Sequence, residues 1–133
     1  MIIEATNGAK MKRLLALLAL ILFVFANTHL ANSQPVAKSK KVSIPVDIKE
    51  EKRLQTEVDN GHQPWRLAPV DVAHTSLITT MKIKVPFEKC KLLSESSNEA
   101  VVQCSEIKKY IIKMKQLVQP KGIWRATEIQ IVE

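Results

Sequence analysis

From Met81 to the C-terminus the apolar residues fall on alternate positions, and no other feature of this chain narrows its folding options so far. Met81, Ile83, Val85 and Phe87 alternate with Lys82, Lys84 and Pro86. The apolar phase then shifts to Cys90 and Leu92, as a bulge around Glu88 and Lys89 would produce. Pro86 has no amide proton to give a ladder and belongs at an edge or a bulge. Turn formers from Ser94 to Glu99 break the run. Strand-like segments follow over Ala100 to Ile107, Lys109 to Val118 and, beyond the turn Gln119-Pro120-Lys121-Gly122, Ile123 to Val132. Short strands joined by short turns pair antiparallel with their neighbours, which predicts a meander.

The two cysteines fit this meander. A turn centred on Ser97 sets Cys90 opposite Cys104, Leu92 opposite Val102 and Ser94 opposite Ala100, all on one face. Directly opposed strand residues have Cα atoms roughly 4.5 to 5.5 Å apart, within the reach of a disulfide. In an oxidising compartment this predicts a Cys90–Cys104 bridge closing a loop of about 15 residues. A pair of buried free thiols is the main alternative, and the absence of a Cys-x-x-Cys spacing disfavours a redox pair.

Upstream of the meander the period changes. Val70, Ala73, Leu77, Ile78 and Met81 recur at helical spacing, and Pro69 suits a first turn, so a helix is predicted over 69–80. Its Thr and Val residues are weak helix formers. Pro64 and Pro69 bracket an extended piece, and Asp59-Asn60-Gly61 is a turn signal preceded by a charged stretch, Glu50 to Val58, read as a short helical turn. Val42 to Ile48 alternates but contains Pro45, which limits it to an edge strand or an extended arm. The expected fold class is therefore α+β, one helix packed on a three- to four-stranded antiparallel meander.

The N-terminal third has a different character. Met11-Lys12-Arg13 is a compact positive start, Leu14 to Phe25 an unbroken apolar run, and Ala31-Asn32-Ser33 a small-residue cleavage site. An apolar run of about a dozen residues is shorter than the ~20 needed to span a bilayer, so a cleaved signal peptide is expected rather than a permanent membrane span. Residues 1–33 are thus assigned to a signal peptide, with Met11 the better start. Residues 34–41 read as a flexible lysine-rich linker and 42–133 as one small domain. Localisation is expected to be secreted or extracytoplasmic. The chain carries a net charge of +7; setting aside three cations and one anion of the leader leaves +5. Such an excess suits an anionic wall polymer or acidic lipid, while export argues against nucleic acid. Lys82, Lys84, Lys108, Lys109, Lys113 and Lys115 fall on exposed strand phases and are the residues that would form a positive face.

The densest group of chemically capable side chains is Asp59, His62, Trp65 and Arg66. Arg66 has the fork that grips a carboxylate or phosphate, Trp65 offers a stacking surface, and His62 has the chemistry of a base. The competing reading makes Trp65 and Leu67 core plugs whose path the two prolines fix. No second ligand stands at metal spacing from His62, so no metal or other cofactor is predicted. No Gly-x-Ser-x-Gly setting surrounds Ser94, Ser96 or Ser97, so no catalytic residues are assigned.

The string Val58-Asp59-Asn60-Gly61-His62-Gln63-Pro64-Trp65-Arg66-Leu67-Ala68-Pro69-Val70-Asp71-Val72-Ala73, together with Val118-Gln119-Pro120-Lys121-Gly122-Ile123-Trp124-Arg125-Ala126-Thr127, resembles uncharacterised secreted proteins of Gram-positive, Bacillus-like bacteria. The resemblance implies an envelope location and supplies no catalytic residues. A helix followed by a curved meander ending in Gly-Ile-Trp also looks like cystatin-like or nuclear-transport-factor-like folds, an analogy of architecture only. The expected function is a non-catalytic binding or interaction domain at the cell envelope, its partner an envelope protein or an anionic wall polymer. Alternatives are an inhibitor or accessory subunit of an exported enzyme, using the Asp59 to Leu67 loop as a wedge, and a small hydrolase built on His62.

Overall fold

Strand β1 (Ser39–Ser43) runs into helix α1 (Ile48–Asp59), a 3-10 turn (Pro64–Leu67) and helix α2 (Pro69–Met81). A second 3-10 turn (Phe87–Lys89) leads to the strands β2 (Cys90–Glu95), β3 (Glu99–Ser105), β4 (Lys109–Lys115) and β5 (Arg125–Val132). This is a computed structural model; it describes residues 35–133, so the signal peptide expected over 1–33 lies outside the described residues. The protein is α+β, and its described residues form two α-helices on a five-stranded antiparallel sheet of order β1-β5-β4-β3-β2. The chain crosses from one sheet edge to the other only once, between β1 and β2, and both helices lie in that crossing.

Two elements depart from the sequence reading. The sheet has five strands rather than three to four because β1 pairs with β5, from Ser39 opposite Val132 to Ser43 opposite Glu128. The residues that read as linker, up to Lys41, therefore enter the ladder from Ser39 onward. Only Val42 of this strand is even partly buried, so its pairing is carried by backbone hydrogen bonds that leave no apolar alternation in the sequence. There is also a second α-helix. Asp47 caps α1 by accepting hydrogen bonds from the Lys49 and Glu50 amides (2.9 and 3.4 Å), and Glu50 and Glu51 complement the positive end of its dipole. Its buried stripe is Glu51, Leu54, Gln55 and Val58, the regular i, i+3, i+4, i+7 face of a helix in which two members are polar.

Helix α2 spans Pro69–Met81, as the periodicity predicts, and Lys82 closes it in the left-handed conformation with φ 57°. Val72, Ala73 and Leu77 are buried in a core with Val102, Cys104, Ile112, Met114, Trp124 and Ile129 of the meander. Full burial of each large aliphatic side chain contributes about 1.5–3 kcal/mol. Met81, the last residue of the helix, and then Ile83 and Val85 of the unpaired segment that follows all pack on the core, whereas Phe87 is exposed in the 3-10 turn.

The β2–β3 register sets Cys90 opposite Cys104 and Leu92 opposite Val102, and the Cys90–Cys104 disulfide is formed. The register then slips: Ser94 faces Val101 and Ala100 faces Glu95, because a bulge lies between Leu92 and Ser94. A bulge and Lys91 on this edge, and Lys40 and Lys41 on the β1 edge, discourage further strand addition.

Helix α1 is held to the meander through Gln55, which is buried. Its side-chain oxygen accepts the Ile123 amide at 2.8 Å, and its amide donates to Asp59 Oδ1 at 3.0 Å. Leu54 and Val58 close a small second core on Ile123. Gly122 makes this approach possible, since a Cβ there would run into Gln55 Oε1 and stand 2.9 Å from the Gln119 carbonyl. Gly122→Ala is expected to destabilise the protein by about 1–3 kcal/mol through overpacking. The check is thermal melting, in which an unchanged midpoint would show that the turn relaxes freely.

Candidate functional site

Two Trp-Arg dipeptides, Trp65-Arg66 in the first 3-10 turn and Trp124-Arg125 at the start of β5, lie side by side. The Trp124 amide donates to the Arg66 carbonyl at 2.9 Å. They form one wall of a cleft of about 320 Å³. The other wall is helix α2, which presents Val72, Thr75, Ser76 and Thr79, again at i, i+3, i+4 and i+7. The Thr-rich character that makes α2 a weak helix former thus supplies the hydroxyl lining of the cleft, while the apolar positions of the same helix face the sheet.

Each guanidinium is held in place. Arg66 stacks over the Trp65 ring, 4.5 Å from its centroid, and its Nε donates to Gln63 Oε1 at 2.8 Å. Gln63 itself sits in the left-handed region with φ 47°, which turns the chain sharply into the 3-10 turn. Arg125 donates from one terminal nitrogen to the Pro45 carbonyl at 3.1 Å. Its Nε lies 3.5 Å from the Glu51 carboxylate, beyond good hydrogen-bond geometry, and is buried without a hydrogen-bond partner among the described residues. Burial pulls Arg66 below its ordinary range; Glu51 opposes this and the neighbouring Arg125 adds to it.

Glu51 is the buried counter-ion of this group. Burial raises its carboxyl above the ordinary value of 4.5, and the attraction of Arg125 and Arg66 only partly offsets the cost. Because the folded pKa is the higher one, the stabilising contribution is fully present below about pH 4.5 and is lost as pH rises through the folded pKa. Glu51→Gln is expected to remove that decline. Urea unfolding of both proteins from pH 4 to 7 checks it, and a difference between them that does not vary with pH would show that Glu51 does not titrate in this window.

Of the residues singled out in the sequence, the structure brings together Trp65 and Arg66, and adds Trp124, Arg125 and Glu51. Trp65 packs on the core as well as lining the cleft, so its packing role and its place in the site coexist. Leu67 is exposed and is no core plug. His62 is exposed beyond the end of α1 and does not line the cleft. Asp59 orients Gln55 rather than pairing with His62. Among the described residues, no cluster of three His, Cys, Asp or Glu is placed to hold a metal, and no helix is long and apolar enough to cross a membrane.

The lysines divide between surfaces. Lys109, Lys113 and Lys115 alternate with buried Tyr110, Ile112 and Met114 and so share the outer sheet face, whereas Lys82 and Lys84 follow α2. Lys113 pairs with Glu128 at 3.2 Å, Lys115 with Glu99 at 3.6 Å and Lys108 with Glu133 at 2.9 Å, which neutralises much of that charge. A larger cavity of about 500 Å³ near His74 and Phe87 is walled mainly by apolar atoms. It lacks the concentration of charge found between the two Trp-Arg pairs.

Fold and site together define an α+β domain with a cationic, hydroxyl-lined cleft between its main helix and the sheet. No protein-family model, curated protein or solved structure matches the chain.

Proposed function

We propose that this is a non-catalytic binding domain acting outside the cytoplasm, at the envelope of a Gram-positive, Bacillus-like bacterium, and that the cleft between the Trp-Arg dipeptides and α2 is its contact site. The observation carrying this reading is the convergence of two guanidiniums on one concave surface, with the terminal nitrogens of Arg66 making no hydrogen bond to a described residue. Binding sites concentrate a few placed polar groups in such a concavity. Export is supported by the leader pattern, and the Cys90–Cys104 disulfide is compatible with it. The resemblance of the two Trp-Arg strings to secreted Bacillus-like proteins supports the envelope as the place of action.

The test is capture from an envelope extract by the purified chain from Gln34 to Glu133, in low salt and then in about 0.5 M salt, where diffuse charge is screened within a few ångströms. Wild type is compared with a folded Trp65→Ala plus Arg66→Ala variant. Retention that survives salt and is lost in the variant is expected. If all binding washes away with salt and the variant behaves as wild type, the cleft is structural and only the lysines retain the protein. A stoichiometric complex with an exported enzyme would instead favour the accessory-subunit reading.

A further inference from the structure

We infer that the cleft takes a carboxylate-bearing sugar unit, such as one hexuronate residue of an acidic glycan; this rests on the reading of the cleft as a binding site. Arg66 and Arg125 against the buried carboxylate of Glu51 leave one net positive charge, since nearby Glu50 is paired with Arg53, and this matches a monoanion better than a doubly charged phosphate. Arg125 turns its buried Nε toward Glu51 and gives one terminal nitrogen to the Pro45 carbonyl, while its other terminal nitrogen and both terminal nitrogens of Arg66 make no hydrogen bond to a described residue, Arg66 Nε alone being committed to Gln63. These planar, always-charged groups suit a carboxylate's paired oxygens.

The opposite wall offers the complementary half of hydrogen bonding. Ser76 Oγ donates to the Val72 carbonyl at 2.7 Å and Thr79 Oγ1 to the Thr75 carbonyl at 2.9 Å. Both hydroxyl protons are therefore spent inside the helix, and these oxygens can only accept. A ligand that carries an anion toward the arginines and hydroxyls toward α2, where Ser76 and Thr79 accept and Thr75 makes no side-chain hydrogen bond to a described residue, fits the cleft, which is the arrangement of a sugar acid. The volume, about 320 Å³, is at the lower end for small-molecule sites and suits a single ring rather than an extended segment.

The experiment is a titration of the full exported chain with oligogalacturonate, its methyl ester, oligoglutamate and inorganic phosphate, followed by calorimetry and tryptophan fluorescence at constant ionic strength. Oligogalacturonate is expected to bind, with the ester, Arg66→Ala and Arg125→Ala each weakening it by about tenfold or more, equivalent to ~1.4 kcal/mol. Thr79→Val, which removes an acceptor with little change of shape, should also weaken it and serves if Arg125→Ala fails to fold. Equal binding of the ester, binding of oligoglutamate or phosphate as tight as that of the sugar acid, unaltered binding by folded Arg66→Ala and Thr79→Val, or no binding of oligogalacturonate would each overturn the ligand assignment. If envelope capture still depends on Trp65 and Arg66 in that case, the binding site stands and only the ligand class falls. If capture is also independent of them, the site itself falls.

Discussion

A chain with Cys90 and Cys104 both replaced by alanine is expected to lose about 3 kcal/mol of folding stability, on the order expected for opening a loop of about 15 residues. The bridge spans a sequence separation of 14 and ties the edge strand β2 to β3. Without it β2 keeps only its ladder to β3 and its contacts with α2, since no strand lies on its other side. Cys104 is fully buried, so removing its sulfur also leaves a small void under α2. A domain of this size has net stability of only about 5–15 kcal/mol, and the loss should therefore shift the urea midpoint visibly. Coincident unfolding curves for the double variant and the oxidised wild type would show that the bridge adds nothing to stability.

Leu77→Ala should cost as much or more, about 2–5 kcal/mol. Leu77 is wholly inaccessible to solvent at the centre of α2, the helix that touches β2, β3, β4 and β5. Its carbonyl also accepts the amides of Lys82 and Ile83 where the helix ends, so its backbone is pinned and cannot slide to fill the void. Chemical unfolding measures the loss. A cost below about 1 kcal/mol would mean that the helix closes onto the sheet without its central anchor.

How far the sequence disclosed this molecule depends on which side chains carry each element. The meander was legible because its inner face is apolar at every second residue, and α2 because five apolar residues recur at helical spacing. The bulge at Leu93 was not, since Leu92 and Leu93 are both exposed on an edge strand and give no phase to follow. Strand β1 is held by backbone pairing alone. Helix α1 was read as a short charged turn because Glu51 and Gln55 occupy half of its buried stripe, and these two polar residues are the ones that hold Arg125 and Ile123.

The candidate site was half visible for the same reason. Trp65 and Arg66 stood out as a local cluster, while Arg125 and Glu51 join them only through tertiary contacts across the sheet and α1. Repetition of the Trp-Arg dipeptide, and a second helical stripe of Val72, Thr75, Ser76 and Thr79 beside the apolar one, were the signals in the sequence that pointed to the rest. His62 and Asp59 drew attention by their chemistry, but one is exposed and the other is occupied with Gln55.

The most direct measurement is amide hydrogen exchange of the purified domain, free and bound to the material it captures from the envelope extract. Binding in the cleft predicts slowed exchange at residues 63–67, along 72–79 and around 123–126, with the outer sheet face unchanged. Protection confined to the strands bearing Lys41, Lys109 and Lys113, with none at the two Trp-Arg dipeptides, would contradict it and move the binding surface to the lysines.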